Sequence, residues 1–440
     1  MRRRQGGRLR CRPLAHGPAE GGSGVVRSGT YAAIDVGTTK VCTIVGEVAQ
    51  GTGETTRILG VGVAPSAGLS RGLVDNIREA TEAIRASVEK AERASGTRIL
   101  SAHVGLSGAQ VQSINNRGIV AVPDRSRPIS QDDIARALEG AKIISIPTNR
   151  QILHVLPRYY VVDGQDSVSD PLGMYGQRLD VEAHIITVSS SALANVSKVV
   201  EAAGVQVDEV VLQPLASAEA VLTAEEKRQG VVLADVGGGC TDVSVFLEGS
   251  VVHTATLPLG GNHVTRDLVV GLRCPYHSAE SAKEQFGHAL PSYVSPEETI
   301  EIEAFGAERQ RAYARRLVCE IIQARCEEIL EHIVAEVKRA ADIELVSAGL
   351  VITGGCGRLP GFDLLAEQVT RMPARIGLPT HIFGLVDELH DPAFATGVGL
   401  LQWAVGAQDL APAGRASLGP SPLEGFFKRL GNFFRVLLPE

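Results

Sequence analysis

Short apolar runs that end in glycine turns recur along the chain and define its expected strands. Tyr31-Ala32-Ala33-Ile34 runs into Asp35-Val36-Gly37-Thr38-Thr39-Lys40, and a second apolar run follows over residues 41–45. The run 230–234 leads into Asp235-Val236-Gly237-Gly238-Gly239-Cys240-Thr241-Asp242, and the alternating run 243–246 follows. Both read as strand, tight turn, strand. The repeated order predicts an internal duplication. Leu350-Val351-Ile352-Thr353 ends in a third turn, Gly354-Gly355, which leads into a helix over 362–369.

Between these units the periodicity alternates between helix and strand. Ile77, Ala80, Ile84 and Val88 share one face of a helix over 76–94, closed by Gly96. Further helices are expected over 192–203, 263–270, 278–286, 308–341 and 394–405, and strands over 58–63, 101–106 and 183–188. From 107 to 187 the pattern changes. Strand-like runs at 118–122, 152–156 and 159–162 surround one helix that opens with a Ser130–Asp133 capping box. Five prolines punctuate this stretch, which reads as an inserted α+β subdomain. The stretch 290–302 is strand-like and irregular.

Both ends differ from this body. Residues 1–29 are rich in Arg and Gly and show no folding pattern, so they read as a disordered extension, with a basic lipid-facing tail as the other reading. Residues 406–421 form a Pro/Gly/Ser/Ala linker. After it, Phe426, Phe427, Leu430, Phe433, Phe434, Leu437 and Leu438 recur at helical spacing and fill an arc of roughly 140°. Lys428, Arg429 and Arg435 lie outside the arc, as does Val436. Such a helix is too short to span a bilayer and suits its interface; the other reading docks it on the body of the protein.

Composition narrows the function classes. At 440 residues the chain exceeds one ordinary core, so two or more domains are expected. The net charge of -7 argues against nucleic acid as the main partner. Seven scattered cysteines without a CxxC pair indicate reduced thiols and no zinc site.

The chemistry concentrates in the turns. Three consecutive glycines let backbone N–H groups approach an anion, although they also suit an ordinary hairpin. Asp235 stands where it can hold Mg²⁺ through water, and Thr241 and Asp242 add oxygens beyond it. Neither the Walker nor the Rossmann pattern occurs, because a strand follows each of the first two turns. Gln213 closes the strand of 210–212 just before Pro214 opens a helix. It can orient a water against a terminal phosphate or merely cap the helix. Glu280 and Lys283 share a helix face and can simply pair with each other. Gly354 and Gly355 leave room for a flat ring against the backbone.

The three turns, in this order, resemble the phosphate and adenosine motifs of the actin, heat-shock chaperone and sugar kinase superfamily. Within it the chain is similar to the FtsA family of bacterial cell-division proteins. Ser107-Gly108, Leu153-His154-Val155-Leu156-Pro157, Asp170-Pro171-Leu172-Gly173 and the terminal helix carry that likeness. The resemblance implies an α/β, actin-like ATPase fold with two lobes around a cleft holding ATP and Mg²⁺. Asp35, Gly37, Thr38, Thr39 and Lys40 would form one phosphate loop, and Asp235, Gly237, Gly238, Gly239 and Thr241 the other. Asp35 and Asp235 would hold Mg²⁺ through water, while Glu280, Lys283, Gly354 and Gly355 would meet the nucleoside. Cys240 stands where the family commonly has Thr.

The implied domains are 30–106 with 188–228 (1A), 107–187 (1C), 229–271 with 345–405 (2A) and 272–344 (2B). The implied role is an assembly protein with at most weak ATPase activity, on the cytoplasmic face of the membrane at the division septum. It would form filaments with itself, bind the C-terminal peptide of the tubulin-like protein FtsZ through Arg325, and recruit other division proteins through 1C. A kinase of the same superfamily would need a catalytic carboxylate on a small-molecule pocket. A PilM-like adaptor of type IV pilus assembly would share the fold and typically lack the terminal helix.

Overall fold

The computed structural model of the protein describes residues 29–48, 56–124, 126–306, 310–385 and 387–409. The Arg-rich start, most of the linker and the terminal amphipathic helix lie outside the described residues. Two sheets with matching topology form the framework. In the first, Thr30–Val36 pairs antiparallel with Lys40–Val48, which pairs antiparallel with Thr56–Pro65. On its other side Thr30–Val36 runs parallel to Ser101–Leu106, and that strand parallel to Gln206–Leu212. In the second, Val231–Val236, Thr241–Leu247 and Ser250–Leu257 form the antiparallel half. Gly349–Thr353 and Ala374–Ile376 form the parallel half. The duplication expected from the two glycine turns is thus a duplication of whole sheets.

The centres of these sheets are continuous apolar runs because both faces are covered. Val231–Val236 is buried at every position, as a strand with helices above and below requires. Helix Ile77–Ser95 covers the first sheet, with Asn76 accepting from the amides of Arg78 and Glu79 at its start and Gly96 closing it. Helix Arg315–Ala340 covers the second with Val318, Ile322, Ile329, Ile333 and Val337. One apolar cluster fills the first lobe and reaches one face of the second sheet through Val231, Leu233 and Val351, and another fills the opposite face of that sheet.

Several elements differ from the periodicity. The run 152–162 is one strand, Arg150–Val162, and Pro157 sits at a register shift opposite Ala183. A proline fits there because the ladder is already interrupted. Residues 311–314 are a strand paired with Thr299–Ile302, so the long helix starts at Arg315 rather than 308. Arg315 fixes that start by bonding the Phe286 carbonyl and the Glu298 carboxylate. Strand Ser250–Leu257 escaped the hydrophobic pattern; it follows a turn in which Glu248 and Gly249 both have positive φ, the geometry of a two-residue hairpin.

The inserted stretch forms a four-stranded sheet with helix Gln131–Ala141 on it. Ser130 and Asp133 make the expected capping box, and Asp133 also binds Arg127. This unit leans on the edge strand Ser250–Leu257. Ser113 and Asn115 donate to the carbonyls of Thr254 and Val252, and Ser250 donates to the Arg158 carbonyl. Those bonds occupy groups that an open edge would leave bare.

His184 completes the seam, with Nδ1 on Asn115 Oδ1 at 2.7 Å and Nε2 on the Thr254 hydroxyl at 3.1 Å. Burial, reinforced by His253 and Arg158, lowers its pKa to about 3. The unfolded imidazole titrates near its ordinary 6.5, so between 6.5 and 3 the unfolded chain binds the extra proton. The contribution is therefore complete above 6.5 and is lost as pH falls. Thermal melts from pH 7 to 5 are expected to show His184→Gln losing less stability than the unaltered chain, by up to about 1.4 kcal/mol per pH unit.

Candidate functional site

The two glycine turns have the same hydrogen bond. Gly37 N–H donates to the Lys40 carbonyl at 3.1 Å, and Gly237 N–H to the Cys240 carbonyl at 3.0 Å. They face each other across the cleft between the lobes. A Cβ on Gly238 would collide with Thr39 Oγ1, and one on Gly239 would lie 2.7 Å from Thr38 Oγ1. Only glycine allows this tip-to-tip approach. Gly261 and Asn262 anchor the second turn by donating to the carbonyls of Gly237 and Gly238.

Three carboxylates are buried at the base of the turns. Asp35 accepts from Gln213 Nε2 at 2.9 Å. Asp235 accepts from Ser217 at 2.6 Å and Thr396 at 2.9 Å. Asp242 accepts from Ser107 and Thr256, each at 2.5 Å. Burial is the main cause that pushes all three above the ordinary carboxylate range, Asp35 and Asp242 to about 7. Repulsion from Asp235 adds to the rise of the other two. Among the described residues no three acidic, His or Cys side chains are grouped as a metal site.

Lys40 is the counterpart. Its Nζ is buried with no hydrogen-bond acceptor and lies 3.2 Å from the centroid of the Phe394 ring. Burial lowers its pKa. A buried ammonium without an acceptor costs free energy that a fold seldom leaves uncompensated. An anionic ligand in the cleft would give the Lys40 ammonium the acceptor it lacks.

The cavity between the lobes has a volume of about 460 Å³. Its far end holds the other sequence-predicted group. Lys283 Nζ lies 2.8 Å from both oxygens of Glu280 and 3.0 Å from Thr265 Oγ1, so the two residues do pair, and both still line the cavity. Gly354 has φ +82, and a Cβ there would strike Asp235 Oδ1. A Cβ on Gly355 would meet nothing, because that position faces open space.

Two expectations are corrected or qualified. Thr241 does not line the cavity: its side chain is fully buried and donates to the Leu259 carbonyl at 2.9 Å. The pleat sends alternate side chains to opposite faces, so Cys240 and Asp242 reach the cleft instead. Arg325 lies on helix Arg315–Ala340 and is bound within the chain, to Asp267 at 2.6 and 3.0 Å and to Glu328. Sequence reasoning missed Ser217, Thr256, Thr396 and Phe394. Each acts through a contact between different elements, from a neighbouring strand for Thr256 to distant segments for Thr396 and Phe394, for which local pattern carries no signal.

A duplicated pair of sheets, closing over a cleft with a glycine turn from each, defines the actin-like class. Solved structures share this fold. A PilM–PilN type IV pilus biogenesis complex matches with a TM-score of 0.61 at 17% identity, covering 85% of this chain and 98% of that one. MreB5 of Spiroplasma citri bound to ADP matches with a TM-score of 0.53 at 12% identity, covering 86% and 97%.

Family models named "Cell division protein FtsA" and "SHS2 domain inserted in FTSA" match residues 232–399 and 108–187. Relatives named cell division protein FtsA are 38% identical in Pseudomonas aeruginosa, over 91% of this chain and 97% of the relative, and 38% in Bacillus subtilis, over 85% and 83%. The Escherichia coli K12 relative is 31% identical over 91% and 96%. The chain belongs to the FtsA family of cell division proteins.

Proposed function

We propose that this protein binds MgATP in the interlobe cleft and uses it to assemble head-to-tail filaments that tie FtsZ polymers to the cytoplasmic face of the membrane at the septum. The observation that carries the nucleotide reading is the buried Lys40 ammonium, without an acceptor, near the buried carboxylates Asp35 and Asp235. In this reading the turns of Gly37 to Lys40 and Gly237 to Gly239 hold the phosphates. Asp35 and Asp235 orient water on the metal, and Gly354 and Gly355 lie against the adenosine. Glu280 and Lys283 face the ribose and base. Gln213, whose amide already holds Asp35, sits beside the terminal phosphate. Lys40 and the two glycine turns would hold the charge that MgATP brings between the lobes, and turnover is at most weak.

The remaining roles rest on sequence and family. Phe426, Phe427, Leu430, Phe433, Phe434, Leu437 and Leu438 face lipid, which suits a chain whose described helices include none long and apolar enough to cross a membrane. Subdomain 2B, over 272–344, receives the FtsZ peptide near Arg325, where the acidic peptide competes with Asp267 and Glu328. The insert receives other division proteins.

Equilibrium titration with ATP tests the cleft. Saturable binding that weakens when Mg²⁺ is chelated supports the reading. Binding that is absent, or indifferent to Mg²⁺, contradicts it.

A further inference from the structure

Phe394 belongs to the short turn Pro392–Phe394 that enters helix Ala395–Asp409. That turn is tied to the second sheet and its glycine turn. Asp391 holds Arg358 through two contacts, at 2.8 and 2.7 Å, and caps the Ala393 amide at 2.8 Å. The Pro392 carbonyl accepts from Gly354 N–H at 3.0 Å and Thr353 Oγ1 at 3.1 Å. Two residues beyond the ring, Thr396 donates to Asp235. The ring is buried, and its position is set by the third glycine turn on one side and by a cleft carboxylate on the other.

Its contact with Lys40 is of a particular kind. The face of an aromatic ring attracts an ammonium without being a conventional hydrogen-bond acceptor. A lysine carries three N–H donors. A carboxylate or carbonyl seat would consume some of them, whereas here Nζ has no hydrogen-bond acceptor. The ring holds the charge in the cleft and leaves the donors free.

We propose that Phe394 is a positioning residue for Lys40: its ring seats the ammonium in the cleft, with its donors presented to the oxygens of a phosphate chain. The assignment rests on the nucleotide reading of the cleft and deepens it. Preorganisation of this kind acts on the phosphate end of a ligand and not on the nucleoside end.

The test measures equilibrium affinity for MgATP, and for adenosine by competition, in full-length Phe394→Leu, Phe394→Tyr, Lys40→Met and the double variant Lys40→Met/Phe394→Leu, with thermal melts of each. Leucine keeps an apolar side chain without the ring face, and tyrosine keeps the face. Phe394→Leu should weaken MgATP about tenfold and leave adenosine unchanged, and Phe394→Tyr should stay within about threefold of the unaltered chain. The double variant should bind MgATP no more weakly than Lys40→Met alone. Additive losses, equal losses for adenosine and MgATP, or unaltered affinity in Phe394→Leu would each overturn the assignment. If Phe394→Leu does not fold, Phe394→Met takes its place with the same expected results. Absence of MgATP binding by the unaltered chain overturns the cleft reading and this assignment together; any of the other contrary results overturns this assignment alone.

Discussion

Asp235→Ala will lose MgATP binding and, without ligand, melt at a higher temperature than the unaltered protein at pH 8. Both effects follow from one arrangement. Asp235 is one of three carboxylates buried in the cleft, and it raises the pKa of the other two. A carboxyl whose folded pKa lies above its unfolded value contributes favourably at low pH, and that contribution is lost as pH rises through the folded pKa. For Asp35 and Asp242 the loss falls between about 4 and 7. Above that window the empty protein carries unrelieved repulsion, and removing Asp235 relieves part of it. Ser217 and Thr396, its two donors, keep each other as partners at 3.0 Å.

The same deletion removes a carboxylate proposed to orient water on the metal. Deleting one partner of a buried charge pair commonly costs enough to weaken binding by about 100-fold or more. Titration with MgATP and melts at pH 5 and pH 8 check the two halves. The stability gain should be larger at pH 8. Unchanged affinity would remove Asp235 from the site.

Phe433→Glu is expected to release the protein from lipid vesicles while leaving ATP affinity in solution unchanged. Phe433 belongs to the apolar arc of the terminal segment and marks one of its edges. Burying one large apolar side chain contributes about 1.5–3 kcal/mol, while ordering the backbone costs about 1–2 kcal/mol per residue. The surplus for one anchor is modest, helped by Lys428, Arg429 and Arg435 near anionic lipid. A charge in place of one of the arc's large apolar side chains cancels it. The proposed filaments would change the outcome for the unaltered protein, because linked anchors rebind at high effective concentration and avidity exceeds single affinity by about 10²–10⁴. Co-sedimentation with vesicles across protein concentration, with and without ATP, measures both. Tight binding by Phe433→Glu would refute the lipid-facing assignment, and ATP-independent binding by the unaltered chain would refute the link to assembly.

What could be read from sequence depended on the range of the interaction. Asp35 and Asp235 were legible because an apolar run, an acid and a glycine turn are contiguous, and the repeat of that order disclosed the paired sheets. Thr241 was misread because spacing along a strand does not say which face the cleft occupies; the pleat assigns that face to Cys240 and Asp242. The strand Ser250–Leu257 was missed because its polar positions serve the insert and the cleft rather than solvent. Thr254 meets His184 and Thr256 meets Asp242. Phe394 carried no local mark, since its meaning lies in Lys40, at the other end of the chain.

The most direct test of the central claim places the purified protein, FtsZ polymers and anionic vesicles together with MgATP and measures FtsZ in the vesicle pellet. The account predicts that FtsZ sediments with vesicles only when this protein is present with its terminal segment intact. FtsZ that stays in the supernatant while this protein is in the pellet would contradict it.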